Sequence, residues 1–223
     1  RFVGKLLDLE NLFMYIKTYN LTQLAPTIEN IYKQGIYDRD MMLELLISLN
    51  YKDYKSYYID SIGNVIDSLV PLFNAAEDAE EISKLQVQTD RAAWKLKYFN
   101  TQESYYRLAP LLLVDKIVEK KTYSGEHMSW QPYCSFAFAD FEFYYIVNFP
   151  FDWEKLKAYK KDLYNSDKVV FSGENIEEQK QMAINSKKVY GHHLEGAFGV
   201  DYFKTLYQWM MKNKGNYKID KDM

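Results

Sequence analysis

Three groups of side chains in this sequence are of types that carry chemistry. His192, His193 and Glu195 form a metal-like cluster, and His127 is the one further histidine. Adjacent histidines point in different directions on most backbones, whereas metalloprotease spacing sets two on one helical face. The pattern therefore predicts polar decoration of a loop, not a metal centre. Cys134 as a nucleophile would need a basic partner, but it lies between Tyr133 and Ser135 in an aromatic segment and reads as a small buried hydrophobe. Asp140 and Glu142 would share a face on a strand and could then work as an acid/base pair. On a helix they lie roughly 200° apart and serve structure or a partner instead. No GxGxxG, GxxxxGK or GxSxG occurs, so neither a phosphate cradle nor a nucleophile elbow is expected. The chain reads as a non-enzyme without cofactor or metal.

Those residues sit on a scaffold of ordinary globular composition. The 223 residues are 48% hydrophobic and 26% charged, a balance that excludes a disordered chain and fits one domain. A formal charge of −3 offers no basic field to nucleic acid, and Arg supplies only 4 of the 28 basic residues, so bidentate base recognition is not expected. One cysteine excludes an internal disulfide, and no signal peptide or spanning apolar run is visible, so a cytoplasmic, non-membrane protein is the expectation. The chain opens on Arg1 rather than Met.

Hydrophobic spacing of three and four residues recurs along most of the length. Asp8 caps a predicted helix with Leu9, Leu12, Phe13 and Ile16. Thr22 opens the next, with Pro26 in its first turn and Gly35 as its stop. Asp38 opens a third through Met42, Leu45, Leu46 and Leu49. A long fourth carries Tyr58, Ile62, Val65, Ile66, Leu69 and Phe73, with Pro71 expected to kink or end it. The acidic stretch Glu77, Asp78, Glu80, Glu81 starts a fifth helix with Ile82, Leu85, Ala92, Leu96 and Phe99. Asn100 and Glu103 read as a capping box for a Leu-rich central helix, Leu108 to Ile117, containing Pro110 and ending at Lys120 and Lys121 before a turn at Tyr123–Gly125.

Trp130 to Trp153 is the densest aromatic stretch. Its residues 133–147 partly alternate like a strand, yet Cys134, Ala137, Phe138, Phe141 and Tyr145 also share one helical face. Helical neighbours decide for helix, ended by Pro150. Asp152 caps a helix through Leu156, Tyr159 and Leu163. Lys168–Gly173 reads as short strand or loop, and Asn175 with Glu178 as a capping box for an outer helix. Gly191–Gly199 is expected as a loop, Asp201 as the cap of a last helix with Phe203, Leu206, Tyr207 and Met210 inward, and the tail after Lys212 as frayed. The expected fold is all-α: a single-domain antiparallel bundle of about eight to ten helices around a buried Leu-rich helix, residues 1–223, with 164–223 as a peripheral subregion.

One further pattern is a resemblance. Arg39-Asp40 at a helix start, the tyrosine-rich helix of Tyr54, Tyr57 and Tyr58, the Leu108–Val114 run and Tyr133-Cys-Ser-Phe-Ala-Phe-Ala139 before a short acidic helix follow one another. That order, from Arg39 to Asp162, resembles the helical immunity proteins that bacteria pair with polymorphic nuclease toxins, in particular the PoNe-immunity type. The resemblance covers about half of the chain and carries over no site residue. It implies a non-enzymatic protein that binds and neutralises a cognate toxin. A nuclease is basic where it meets nucleic acid, so an acidic inhibitor face could imitate phosphates; Glu77, Asp78, Glu80 and Glu81 with Asp152 and Glu154 are the candidates. The alternatives are a helical scaffold or adaptor with an aromatic groove, and an enzyme whose active site gathers Asp140, Glu142 and a histidine.

Overall fold

The computed structural model describes residues 11–121, 128–146, 148–149, 152–186, 189–214, 216 and 218–220. The fold is all-α, 71% helical, and a single two-stranded sheet is present among the described residues. Contacts group the chain into two units that meet in sequence at Ser61 and Ile62. The Asp8 cap, the Tyr123–Gly125 turn, His127 and Pro150 fall outside the described residues.

In the first unit, helix α1 covers 11–18, α2 is Ala25–Gln34 and α3 is Arg39–Ser48, and α4, Tyr54–Ala75, begins here. A 3-10 turn at Thr22–Leu24 leads into α2, whose first turn accepts Pro26 because no intrahelical donor is needed there. Gly35 ends α2 in the left-handed region at φ 64°. The Asp38 carboxylate accepts from the Met41 N–H at 3.0 Å and starts α3. Ile16, Ala25, Ile28, Met42, Leu45, Leu46 and Leu49 form the buried cluster that these spacings predict. Leu12, expected to face inward, is exposed.

Beside that core Glu29 collects four donors, the longest contact being from the Tyr51 hydroxyl at 3.4 Å. Lys52 lies 2.6 Å away, Lys33 2.9 Å, and the Tyr54 hydroxyl donates at 2.8 Å. The Lys52 ammonium leads these partners in pulling the Glu29 carboxyl from 4.5 down to about 2. An unfolded Glu protonates near 4.5, so this cluster contributes fully above that pH and its contribution is lost as pH falls toward 2. Urea unfolding from pH 5 to 2 should therefore show a drop in midpoint that Glu29→Gln makes shallower. Parallel curves for the two proteins would refute the assignment.

The second unit takes the rest of α4, then α5 (Ala79–Lys97), α6 (Gln102–Leu108), strands β1 (Ile117–Lys121) and β2 (Met128–Pro132), and helices α7 (Tyr133–Asp140), α8 (Trp153–Tyr164), α9 (Ile176–Asn185), α10 (Gly191–Phe198) and α11 (Asp201–Lys212). Its largest fully buried side chains include Phe73, Tyr105, Tyr133, Phe138, Phe141, Phe143 and Phe203. Helix α4 runs on past Pro71 to Ala75. Its buried face is Ile59, Gly63, Ile66, Leu69, Val70 and Phe73, and the expected Val65 is turned outward.

Several expectations are corrected. Helix α6 is capped by Thr101, whose hydroxyl accepts from Ser104 N–H at 3.2 Å while Ser104 Oγ accepts from Thr101 N–H at 2.9 Å; Asn100 is the left-handed residue before it. The Leu-rich run is buried, but not as one helix. Pro110 has no N–H for the i−4 carbonyl, and the chain tightens to a 3-10 turn over Ala109–Leu113. Lys120 and Lys121 belong to a hairpin instead of a helix end, with Val118 opposite Gln131 and Glu119 opposite Trp130. In the stretch from Tyr133 the α-helix ends at Asp140; Glu142 then turns left-handed at φ 59°, and Phe143–Tyr145 is a 3-10 turn.

Further along, Lys168–Gly173 takes the loop of its two expected forms, and Asn175, expected to cap, precedes α9 without a side-chain cap. Nor does Asp201 act as a cap: it is the first residue of α11, after Val200. Gly191–Gly199 is chiefly the helix α10, packed on α7 and α8. Beyond Lys212 the chain is pinned: Asn148 donates to Asn216 O at 2.9 Å and accepts from Lys218 N–H at 2.8 Å, and Ile146 bridges Ile219.

Candidate functional site

Both acidic groups stand at helix N-termini of the second unit. Asp78 caps α5, accepting from Glu80 and Glu81 N–H at 2.9 and 3.0 Å; Glu77, Glu80 and Glu81 surround it, exposed. Asp152 caps α8 by accepting from Lys155 N–H at 3.0 Å, next to exposed Trp153 and Glu154. Among the described residues no ion pair engages any of these six carboxylates. The caps need their charge at home, where it meets the positive helix pole. The four glutamates have no such duty.

The residues of the catalytic alternative are engaged elsewhere. Lys97 donates to the Asp140 carbonyl at 2.6 Å and pairs with Glu142 at 3.2 Å, while its ammonium stands over the Trp94 ring. Cys134 is buried, and that burial pushes its thiol up to about 12. His193 is wholly buried in α10. Its Nδ1 accepts from the Tyr190 N–H at 3.3 Å, which leaves the ring proton on Nε2, facing the Tyr164 hydroxyl at 2.9 Å. Burial, then the neighbouring His192 and Lys160, hold its pKa down to about 3, so the ring is a neutral structural hydrogen-bonding group. Glu195 is shifted upward by burial. Among the described residues, no three of His, Cys, Asp and Glu are placed to hold one metal ion. His127 lies outside them.

Between α8 and the end of α9 lies a pocket of about 340 Å³. The first two turns of α8 provide Trp153, Glu154, Leu156, Lys157 and Lys160; α9 provides Ile184 and Asn185, with Ser186 after it. Lys160 is 3% exposed, and its ammonium donates to the Ser186 carbonyl at 2.8 Å. Desolvation pushes its pKa down. Lys160 is not among the candidates named from the sequence, although a signal existed. Leu156, Lys160 and Leu163 fall at i, i+4 and i+7, so a lysine occupies the stripe that should be apolar.

No helix among the described residues is long and apolar enough to cross a membrane. No protein-family model, curated protein or solved structure matches this chain.

Proposed function

We propose that this chain is a non-enzymatic immunity protein that binds one cognate protein toxin and blocks it through an acidic face. The observation that carries this reading is the set of exposed carboxylates at the starts of α5 and α8, which have no ion pair among the described residues. Trp153 adds an exposed aromatic anchor beside Glu154, the kind of side chain that dominates binding energy at interfaces. The engagement of Cys134, His193 and Glu142 in structural roles supports a protein without chemistry of its own. A basic nuclease surface is the complementary partner, and a cytoplasmic site of action follows from that role.

The product of the neighbouring gene, expressed alone, should arrest growth, and co-expression with this chain should restore it by forming a complex. No arrest and no complex would end the reading. In that complex, Glu→Lys at Glu77, Glu80, Glu81 and Glu154 should cut the association rate roughly ten- to hundredfold at low salt, with little change in dissociation. Asp78 and Asp152 are left intact because they cap helices. A second reading, an adaptor for a helical peptide, is favoured by Val87, Trp94 and Tyr98, which are exposed along one side of α5. If Trp94→Ala with Tyr98→Ala abolishes binding while the charge reversals do not, that reading replaces the first.

A further inference from the structure

A lysine ammonium taken out of water costs free energy unless an anion or a full set of acceptors compensates it. Lys160 has neither. It is 3% exposed, and among the described residues the hydrogen bond to Ser186 O occupies one of its three donors. The side chain is nonetheless not walled in by packing, since it lines the α8–α9 pocket, whose volume of about 340 Å³ falls within the roughly 300–1,000 Å³ range of small-molecule sites. Lys157, one turn earlier on the same side of α8, and Asn185 also line the pocket. Leu156 and Ile184 are buried apolar walls, and the half-exposed indole of Trp153 stands at the same opening.

We propose that this pocket binds a small monocarboxylate, with its charged end on Lys160 and its apolar body against Leu156, Ile184 and Trp153. The charge set selects a single negative charge. Glu154 also lines the pocket and repels a dianion, while one carboxylate satisfies the spare donors of Lys160 and leaves Lys157 to balance Glu154. This inference is independent of the toxin-binding reading and survives its failure. Two sources offer the chemistry, a free branched-chain acid or the C-terminal residue of a peptide.

Calorimetric titration of the full chain with 3-methylbutanoate, with a hexapeptide ending in leucine, and with the same peptide amidated tests it. Saturable binding of the acid or of the free-terminus peptide is expected, weakened at least tenfold by Lys160→Met. Lys157→Glu, at an exposed position, should weaken it similarly and keeps the test valid if Lys160→Met does not fold. The tighter of the two ligands identifies the source. Equal binding of the amidated peptide, equal binding of inorganic phosphate, or no saturable binding at 50-fold over the protein concentration (roughly the limit of the method) would each overturn the proposal.

Discussion

Gly191→Ala should destabilise the protein by about 3 kcal/mol, near the top of what one added methyl group costs in a packed interior. A Cβ at this position would lie 1.9 Å from the Ser135 carbonyl oxygen and 2.5 Å from its carbon. These are backbone atoms, so no rotamer change relieves the overlap. Helix α7 cannot retreat cheaply either: Tyr133 N–H donates to Lys116 O and Cys134 N–H to Val114 O, both at 2.9 Å, and Ser135 Oγ reaches Gln131 at 3.1 Å. The whole of α10 would have to move, and with it His193, which would leave Tyr164. For a chain of this size the melting temperature should fall by roughly 5–10 °C. Gly196 provides the control. A Cβ there meets the Tyr159 ring, 2.0 Å from its hydroxyl oxygen, and a side chain can swing aside. Gly196→Ala should therefore cost clearly less. Equal losses for the two variants, or a Gly191→Ala midpoint at the wild-type value, would show that α10 is not held by this contact.

That contact also explains why α10 was illegible in the sequence. Three glycines in nine residues lower helix propensity and mark a loop by local rules. Two of the three are there to let α10 approach α7 and α8, a reason that lies in residues 135 and 159. Local signals fared well where the physics is local. Asp152 caps the helix it was expected to cap, Asp38 and the acidic stretch around Asp78 stand at the helix starts expected of them, and Met42, Leu45, Leu46 and Leu49 bury the face their spacing describes. The hairpin escaped because its strands are five residues long and the alternation is thin, with buried Val118 beside exposed Ile117. The tail looked free because its anchor, Asn148, belongs to a distant segment. Of the candidate sites, the acidic helix starts were readable from charge alone. Lys160 needed one more step, noticing a cation where the helical period demands an apolar side chain.

The second large effect is acid sensitivity through His193. The folded ring stays neutral down to about 3, whereas a histidine in the unfolded chain takes a proton near 6.5. A second ring proton would have to sit on Nδ1, facing the Tyr190 N–H head-on, in a buried site close to His192 and Lys160. The unfolded state therefore binds the extra proton and the folded state does not. The stability this residue provides is complete above pH 6.5 and declines as pH falls toward 3. Between pH 6 and 4 the loss should reach roughly 2–3 kcal/mol, since each pKa unit is worth about 1.4 kcal/mol. Urea titrations at half-unit steps would read it, and His193→Phe isolates it. The variant starts lower at pH 7, having stranded Tyr164 and the Tyr190 N–H, but its stability should change much less across that interval. His192, also shifted downward by burial, adds to the wild-type slope and remains in the variant, so only the difference between the two curves belongs to His193. Glu29 enters lower, below pH 4.5, so a His193→Phe curve falling as steeply as the wild-type curve from pH 6.5 to 4.5 would assign the acid sensitivity to some other group.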